Sequence, residues 1–235
     1  MRRAGRPWIW GIAGLLLVGI VTTGVMFLLS RHHSPSNSES NRPLVVLDAG
    51  HGGQDPGAVC EGIEEADVNL AILRRVADLA ESDSRLRVRT TRSADMYVTL
   101  EDRIALANEE GATLYLSIQT NACGYPEVTG IETLISSTIT LGQPSAQFAE
   151  ILQRAVISTT GAHDRGIRTQ EVYLHRATMA AALIEVGFLT NDTERAKLLD
   201  PSYQDTIAQG IYQGIVAYLD HAVPAFPSTA SASAR

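Results

Sequence analysis

Residues 114–123 read "LYLSIQTNAC", an apolar run that ends in an amide, a turn signal and a cysteine. So short an uninterrupted apolar run predicts a strand buried on both faces, as in a parallel sheet covered by helices. "RPLVVLDAG" (42–50) and "AALIEVGF" (181–188) have the same character, and "LRVRTT" (86–91) and "GIETLIS" (130–136) add two more strands. Between these runs the spacing turns helical. In "EADVNLAILRRVADLAES" (65–82), Val68, Ile72, Val76 and Leu79 form one stripe with Arg74, Arg75 and Asp78 off it, which predicts an amphipathic helix. "VTLEDRIALANEEGA" (98–112) opens on Thr99 with Asp102 three residues later, a capping-box variant, and stops near Gly111. Phe148, Ile151, Leu152 and Val156 mark a helix over 145–159, and helices at about 193–199 and 203–220 close the series. Strands alternating with helices predict an α/β fold: a single domain with a mixed, mostly parallel sheet and helices on both faces.

One transmembrane helix is expected before that domain. Residues 8–29, "WIWGIAGLLLVGIVTTGVMFLL", are uncharged and mostly apolar, long enough to cross a hydrocarbon core of about 30 Å. Arg2, Arg3 and Arg6 precede them, so residues 1–7 stay cytoplasmic and the rest lies outside the cell membrane, to which this single span anchors it. A cleaved signal peptide is the competing reading; the length of the run and the lack of an A-x-A site in "MFLLSRHHS" argue against it. Residues 30–42 read as a polar tether, 43–222 as the globular domain and 223–235 as a disordered tail. The net charge of −7, carried almost wholly by the exported domain, excludes nucleic acid as a partner, because phosphate contacts need a basic face.

The polar residues fall in a pattern. His51 follows the first strand, Gln119 ends the strand at 113–118, Glu185 lies near the end of the last strand, and Glu65 opens the first helix. Sites in open α/β sheets form beyond the carboxyl ends of strands. Singly, each residue has a plain reading: "HGGQDPG" is a tight glycine turn and Glu65 a solvated first-turn acid. Glu185 differs, since an acid flanked by Leu183, Ile184, Val186 and Phe188 is costly unless paired or used. A histidine and a carboxylate suit zinc, and a second carboxylate can act as general base. His51 and Glu65 supply two ligands and Glu185 the base; the third ligand should come from the strand end at Gln119.

The runs "VVLDAGHGGQDPGA", "EADVNLA", "TRSADMYVTLEDRIALAN", "LYLSIQTNA", "GIET" and "LIEVGFLTN", in this order over about residues 44 to 220, resemble the zinc-dependent N-acetylmuramoyl-L-alanine amidases of the amidase_3 type. The resemblance implies a peptidoglycan hydrolase that cuts the amide between N-acetylmuramic acid and the L-alanine of the stem peptide, with Zn2+ as cofactor. It makes His51 and Glu65 zinc ligands and Glu185 the catalytic glutamate. An anchor followed directly by a bare catalytic domain is similar to the sporulation enzymes that prepare cortex. Two positions depart from the family pattern: Gln119 stands where SIHxNA has histidine, and Ala180 stands where proline is common.

Three readings of Gln119 stay open. Its side-chain carbonyl is a weak zinc donor; or Cys60, Cys123 or His175 replaces it; or the site is dead and the domain is a membrane-tethered, peptidoglycan-binding pseudoenzyme. For Cys60 and Cys123 the plainer reading, set ahead of ligation, is a disulfide, which the compartment outside the cytosol allows, or inert thiols. The active reading includes an activating protein partner that helps load zinc. Arg92, Arg165 and Arg168 are candidate contacts for the acidic stem peptide, against the plainer reading of surface ion pairs. The short stretch 136–164 leaves little room for an inhibitory helix over the site.

Overall fold

A computed structural model of the chain describes residues 42–122, 124–140 and 142–224. Strand β1 (Leu44–Ala49) is followed by a minimal hairpin, β2 (Val59–Cys60) and β3 (Ile63–Glu64), that feeds helix α1 (Glu65–Glu81). Next come β4 (Arg87–Thr90), α2 (Leu100–Glu109), β5 (Leu114–Asn121), β6 (Ile131–Ser136), α3 (Pro144–Thr160) and β7 (Asp164–Gln170). A 3-10 turn (Tyr173–Arg176), β8 (Ala180–Phe188), α4 (Asp192–Leu198) and α5 (Pro201–Ala222) complete the order.

Six strands form one sheet in the order β4-β1-β5-β8-β6-β7. β4, β1, β5 and β8 run parallel, β6 is antiparallel to β8, and β7 is parallel to β6. Alternation along the strands sorts side chains to two faces. Val45, Leu47, Leu116, Ile118 and Ile184 join the larger core under α1, α3 and α5. Leu44, Val46, Tyr115, Leu134 and Leu183 join a smaller core with Ile104 of α2 and Leu174 of the 3-10 turn. The mixed α/β architecture with helices on both faces is the one read from the sequence. The Thr99 cap is present too, its side chain accepting from the Asp102 N–H at 3.1 Å.

Strand β7 carries no apolar signature. "DRGIRTQ" is an edge strand with most side chains in solvent, so no run of apolar residues marks it. The expected membrane span at 8–29 and tail beyond 224 lie outside the described residues, as does nearly all of the tether. Among the described residues no helix is long and apolar enough to cross a membrane.

Candidate active site

The smaller core stops short of the carboxyl ends of β1, β5 and β8, and the polar residues sit in the opening. β5 runs on to Asn121, so Gln119 lies inside the strand rather than at its end. It pairs in register with Glu185 of β8, which pairs on its other side with Glu132 of β6. Side chains of directly paired residues point to one face, so Gln119, Glu185 and Glu132 form a row across three strands.

His51 stands beside this row on a strained turn. Its φ is 62°, and Gly52 and Gly53 follow with φ of 122° and 62°. A non-glycine residue there costs roughly 1–2 kcal/mol, so the turn needs outside support. Two buried arginines give it. Arg103 donates to the carbonyls of Ala49 (2.6 Å) and His51 (2.8 Å) and pairs with the buried Asp48 at 2.6 Å. Arg92 donates to the carbonyls of Ala49 (2.9 Å), Gly50 (2.9 Å) and Ala66 (2.8 Å). Arg92 is only 2 % exposed and its guanidinium is consumed by backbone. The structure therefore turns it inward, as a support for the His51 turn, and not toward a stem peptide as the sequence suggested.

The imidazole is held at both nitrogens. Nδ1 meets the Asp55 carboxylate at 2.8 Å and Nε2 meets Glu65 Oε2 at 3.3 Å. The bond to Glu65 pushes the His51 pKa up to about 9, against the opposing effect of burial and with help from Asp55. Burial opposes ionisation of Glu65, but the His51 contact and donors from Ala58 N–H and Asn69 outweigh it and hold the carboxyl below its usual range. Thr120 N–H and Asn69 Nδ2 also fix Glu65 Oε1, each at 3.2 Å.

This arrangement fits a zinc donor pair. Two donors each about 2.0–2.1 Å from a tetrahedral zinc are separated by about 3.3 Å, and the His51–Glu65 separation is 3.3 Å. The Asp55 contact at Nδ1 is the kind of carboxylate–histidine support that would leave Nε2 as the nitrogen available to a metal. Gly57 leaves the space open: a Cβ there would lie 2.7 Å from both Glu65 Oε2 and His51 Cδ2. A cleft of about 190 Å³ opens beside His51, its wall including Asp55, Tyr97, Gln119 and Tyr173 but not Glu65.

Glu185 Oε2 is buried without a hydrogen-bond partner. Burial first, then the neighbouring Glu65 and Glu132 carboxylates, push its pKa up to about 8, and His51 pulls the other way. A buried carboxyl with an unpartnered oxygen and a raised pKa, next to the His51–Glu65 pair, makes Glu185 a candidate for the site's acid–base group.

Other expected residues are placed as follows. Arg165 and Arg168 converge through Nε on Glu132 Oε2, each at 2.8 Å, which sets both beside the Glu185 row. Arg165 is mostly buried over the Phe188 ring, whereas the Arg168 side chain is 53 % exposed. His175 is exposed in the 3-10 turn and bonds back to the Val172 carbonyl at 3.1 Å. Cys60 is a free cysteine packed on the larger core, and Cys123 lies outside the described residues. Among the described residues no three His, Cys, Asp or Glu side chains converge to hold a metal, so neither Cys60 nor His175 joins His51 and Glu65 as a third ligand.

Asp55 and Glu132 escaped the sequence reading. Glu132 had the signal that exposed Glu185, an acid inside the buried-type run "GIETLIS". Asp55 is visible only as an acid four residues after His51 in a glycine turn.

The N-acetylmuramoyl-L-alanine amidase family model matches residues 45–217. The chain belongs to this family. Among curated relatives, the uncharacterized protein YqiI of Bacillus subtilis is 37% identical over 177 residues, 75% of this chain and 84% of that protein. The germination-specific N-acetylmuramoyl-L-alanine amidase of the same organism is 33% identical over 207 residues, 78% of this chain and 86% of that protein. A solved N-acetylmuramoyl-L-alanine amidase from Clostridium difficile 630 superposes with a TM-score of 0.75 at 36% identity, covering 77% of this chain and 99% of that one. In this amidase-family chain an amide, Gln119, stands in the row beside the buried Glu185.

Proposed function

We propose that this amidase-family chain hydrolyses the amide between N-acetylmuramic acid and the L-alanine of the peptidoglycan stem peptide. The observation that carries the reading is the Glu185 carboxyl, buried with an unpartnered oxygen next to the His51–Glu65 pair. His51 Nε2 and Glu65 Oε2 would hold zinc, with the side-chain oxygen of Gln119 as a weak third donor. When bound, the zinc polarises the scissile carbonyl and acidifies water to a pKa of about 7. Glu185 takes the proton from the attacking water and passes it to the departing alanine nitrogen, so the products are a muramic acid carboxylate and a free amino terminus. Arg168, half in solvent beside Glu132, would pair with the acidic stem peptide. Residues 8–29 would anchor the enzyme in the cell membrane with its domain outside. A weak third donor also makes the enzyme a candidate for a protein partner that raises zinc occupancy. The likeness to a germination-specific relative supports a role in spore peptidoglycan.

Mass spectrometry of purified peptidoglycan digested with the protein tests this. Stem peptides released with a free L-alanine amino terminus are expected. Cleavage at any other bond, or none, would overturn it. The Gln119 departure favours one second reading, a tethered peptidoglycan-binding protein without turnover, and that protein would sediment with cell wall but release nothing.

Two further outcomes follow from the pair geometry. The proton shared by His51 Nε2 and Glu65 must leave before the nitrogen can coordinate, and the His51 pKa of about 9 keeps it in place at neutral pH. Zinc affinity therefore rises with pH, by about tenfold per unit as far as pH 9, with at least one proton released. Calorimetric titration in two buffers of different ionisation enthalpy measures this, and affinity flat between pH 6.5 and 8.5 would contradict it. Gly57→Ala places a methyl 2.7 Å from the Glu65 Oε2 donor and 2.7 Å from Cδ2 of the His51 ring, at a φ of 68°. At least a tenfold loss of zinc affinity is expected in a chelator competition, together with a stability loss of about 1–2 kcal/mol from the left-handed backbone.

A further inference from the structure

An amide at position 119 has a problem that histidine does not: one end is a metal donor and the other is not. Zinc is served by the carbonyl oxygen Oε1, while the NH2 group carries two hydrogens and no free lone pair. Which end faces the cleft is settled by what the other end touches.

Ser117, two residues earlier on the same face of β5, is buried and donates its hydroxyl hydrogen to Asp48 Oδ2 at 2.8 Å. Asp48 is committed to that role. Its Oδ1 accepts from Arg103 Nη1 and Thr91 Oγ1, each at 2.6 Å, and its Oδ2 also accepts from the Tyr173 hydroxyl at 3.2 Å. Four donors surround this carboxylate, which is a stronger acceptor for the Ser117 hydrogen than the neighbouring Tyr173 hydroxyl. Ser117 Oγ is left with only acceptor capacity. Of the two ends of the Gln119 side chain, only the NH2 group can then satisfy it, and Nε2 lies 3.4 Å from Ser117 Oγ. The side chain is further confined by Gly50, where a Cβ would lie 2.8 Å from Gln119 Cδ and 3.0 Å from Nε2. Oε1 has no hydrogen-bond partner among the described residues, and Gln119 forms part of the cleft wall that His51 also lines.

We infer that Ser117, held by the Asp48–Arg103 pair, is a positioning residue that turns the Gln119 amide so that its carbonyl oxygen, not its nitrogen, faces the zinc pocket. The inference rests on the zinc reading above and adds the device by which a glutamine serves in place of histidine. It also makes the buried Asp48 cluster one structure with two tasks: through Arg103 it sets His51, and through Ser117 it sets Gln119.

The test is a double-mutant cycle on zinc affinity, read by chelator competition on the full chain. Ser117→Ala in the parent weakens zinc binding about three- to tenfold, because the amide loses the acceptor that fixes its direction. Ser117→Thr, which keeps a hydroxyl, stays within about twofold of the parent. In the Gln119→His background, which binds zinc more tightly than the parent, Ser117→Ala changes the affinity by less than about twofold, since no carbonyl end has to be selected. An equal loss in both backgrounds would mean that Ser117 acts only through the fold, and would overturn the inference; so would no loss in either, or no zinc uptake by the parent. Stem-peptide release is assayed on the same samples. Zinc bound as described but without release would defeat the amidase reading and leave the orientation of Gln119 standing.

Discussion

Glu185→Gln lowers stem-peptide release by about 10²–10⁴-fold, the usual contribution of a positioned general base, and it does so without weakening the fold. The removed carboxyl has an unpartnered buried oxygen and a pKa pushed up to about 8, so the native state gains nothing from its charge. The sign of the pH dependence follows. An acid whose folded pKa lies above its unfolded value binds more protons when folded, so the metal-free parent loses stability as pH rises from about 4.5 to 8. Glutamine does not titrate, and the variant escapes that part of the decline. Urea unfolding with chelator at pH 5 and pH 8 compares the two proteins. A variant less stable than the parent at pH 8, or one that retains more than about a tenth of the activity, would remove Glu185 from the role assigned to it.

Arg103→Ala is the other large effect, and it acts on the fold first. Arg103 and Asp48 are 2 % and 0 % exposed as side chains and lie 2.6 Å apart. Breaking a buried pair by removing one partner leaves an uncompensated charge and costs about 3–5 kcal/mol. The same substitution frees the His51 carbonyl and leaves the Ala49 carbonyl to Arg92 alone, so the strained turn at His51 loses one of its two supports. Urea unfolding should register the full cost, and zinc affinity should fall in the protein that remains folded. Arg168→Ala supplies the contrast, because its half-exposed pair with Glu132 contributes under about 1 kcal/mol. If the two variants were equally stable, the account of the Asp48 cluster would fail.

How much of this was legible in the sequence depended on the range of the interaction involved. The apolar runs at β1, β5 and β8 announce buried strands because each is a local property of successive residues, and the Thr99 cap is likewise local. Glu185 was legible for the same reason: its apolar neighbours are adjacent in the chain. The direction of Arg92 was not, because the Ala49, Gly50 and Ala66 carbonyls that draw it inward lie 26 to 43 residues away and no local pattern encodes them. Register was equally hidden. Gln119 was read as a strand end, yet β5 continues two residues beyond it and brings it opposite Glu185, a pairing that exists only once the sheet forms. Edge strand β7 left no trace, since a strand in solvent needs no apolar alternation.

Whether the glutamine leaves a working metal centre is decided most directly by titrating zinc into the purified, metal-free protein while following stem-peptide release from peptidoglycan. The account predicts that one zinc per chain is taken up, that release rises in parallel, and that chelation reverses both. Zinc taken up without release, or release indifferent to zinc, would contradict it.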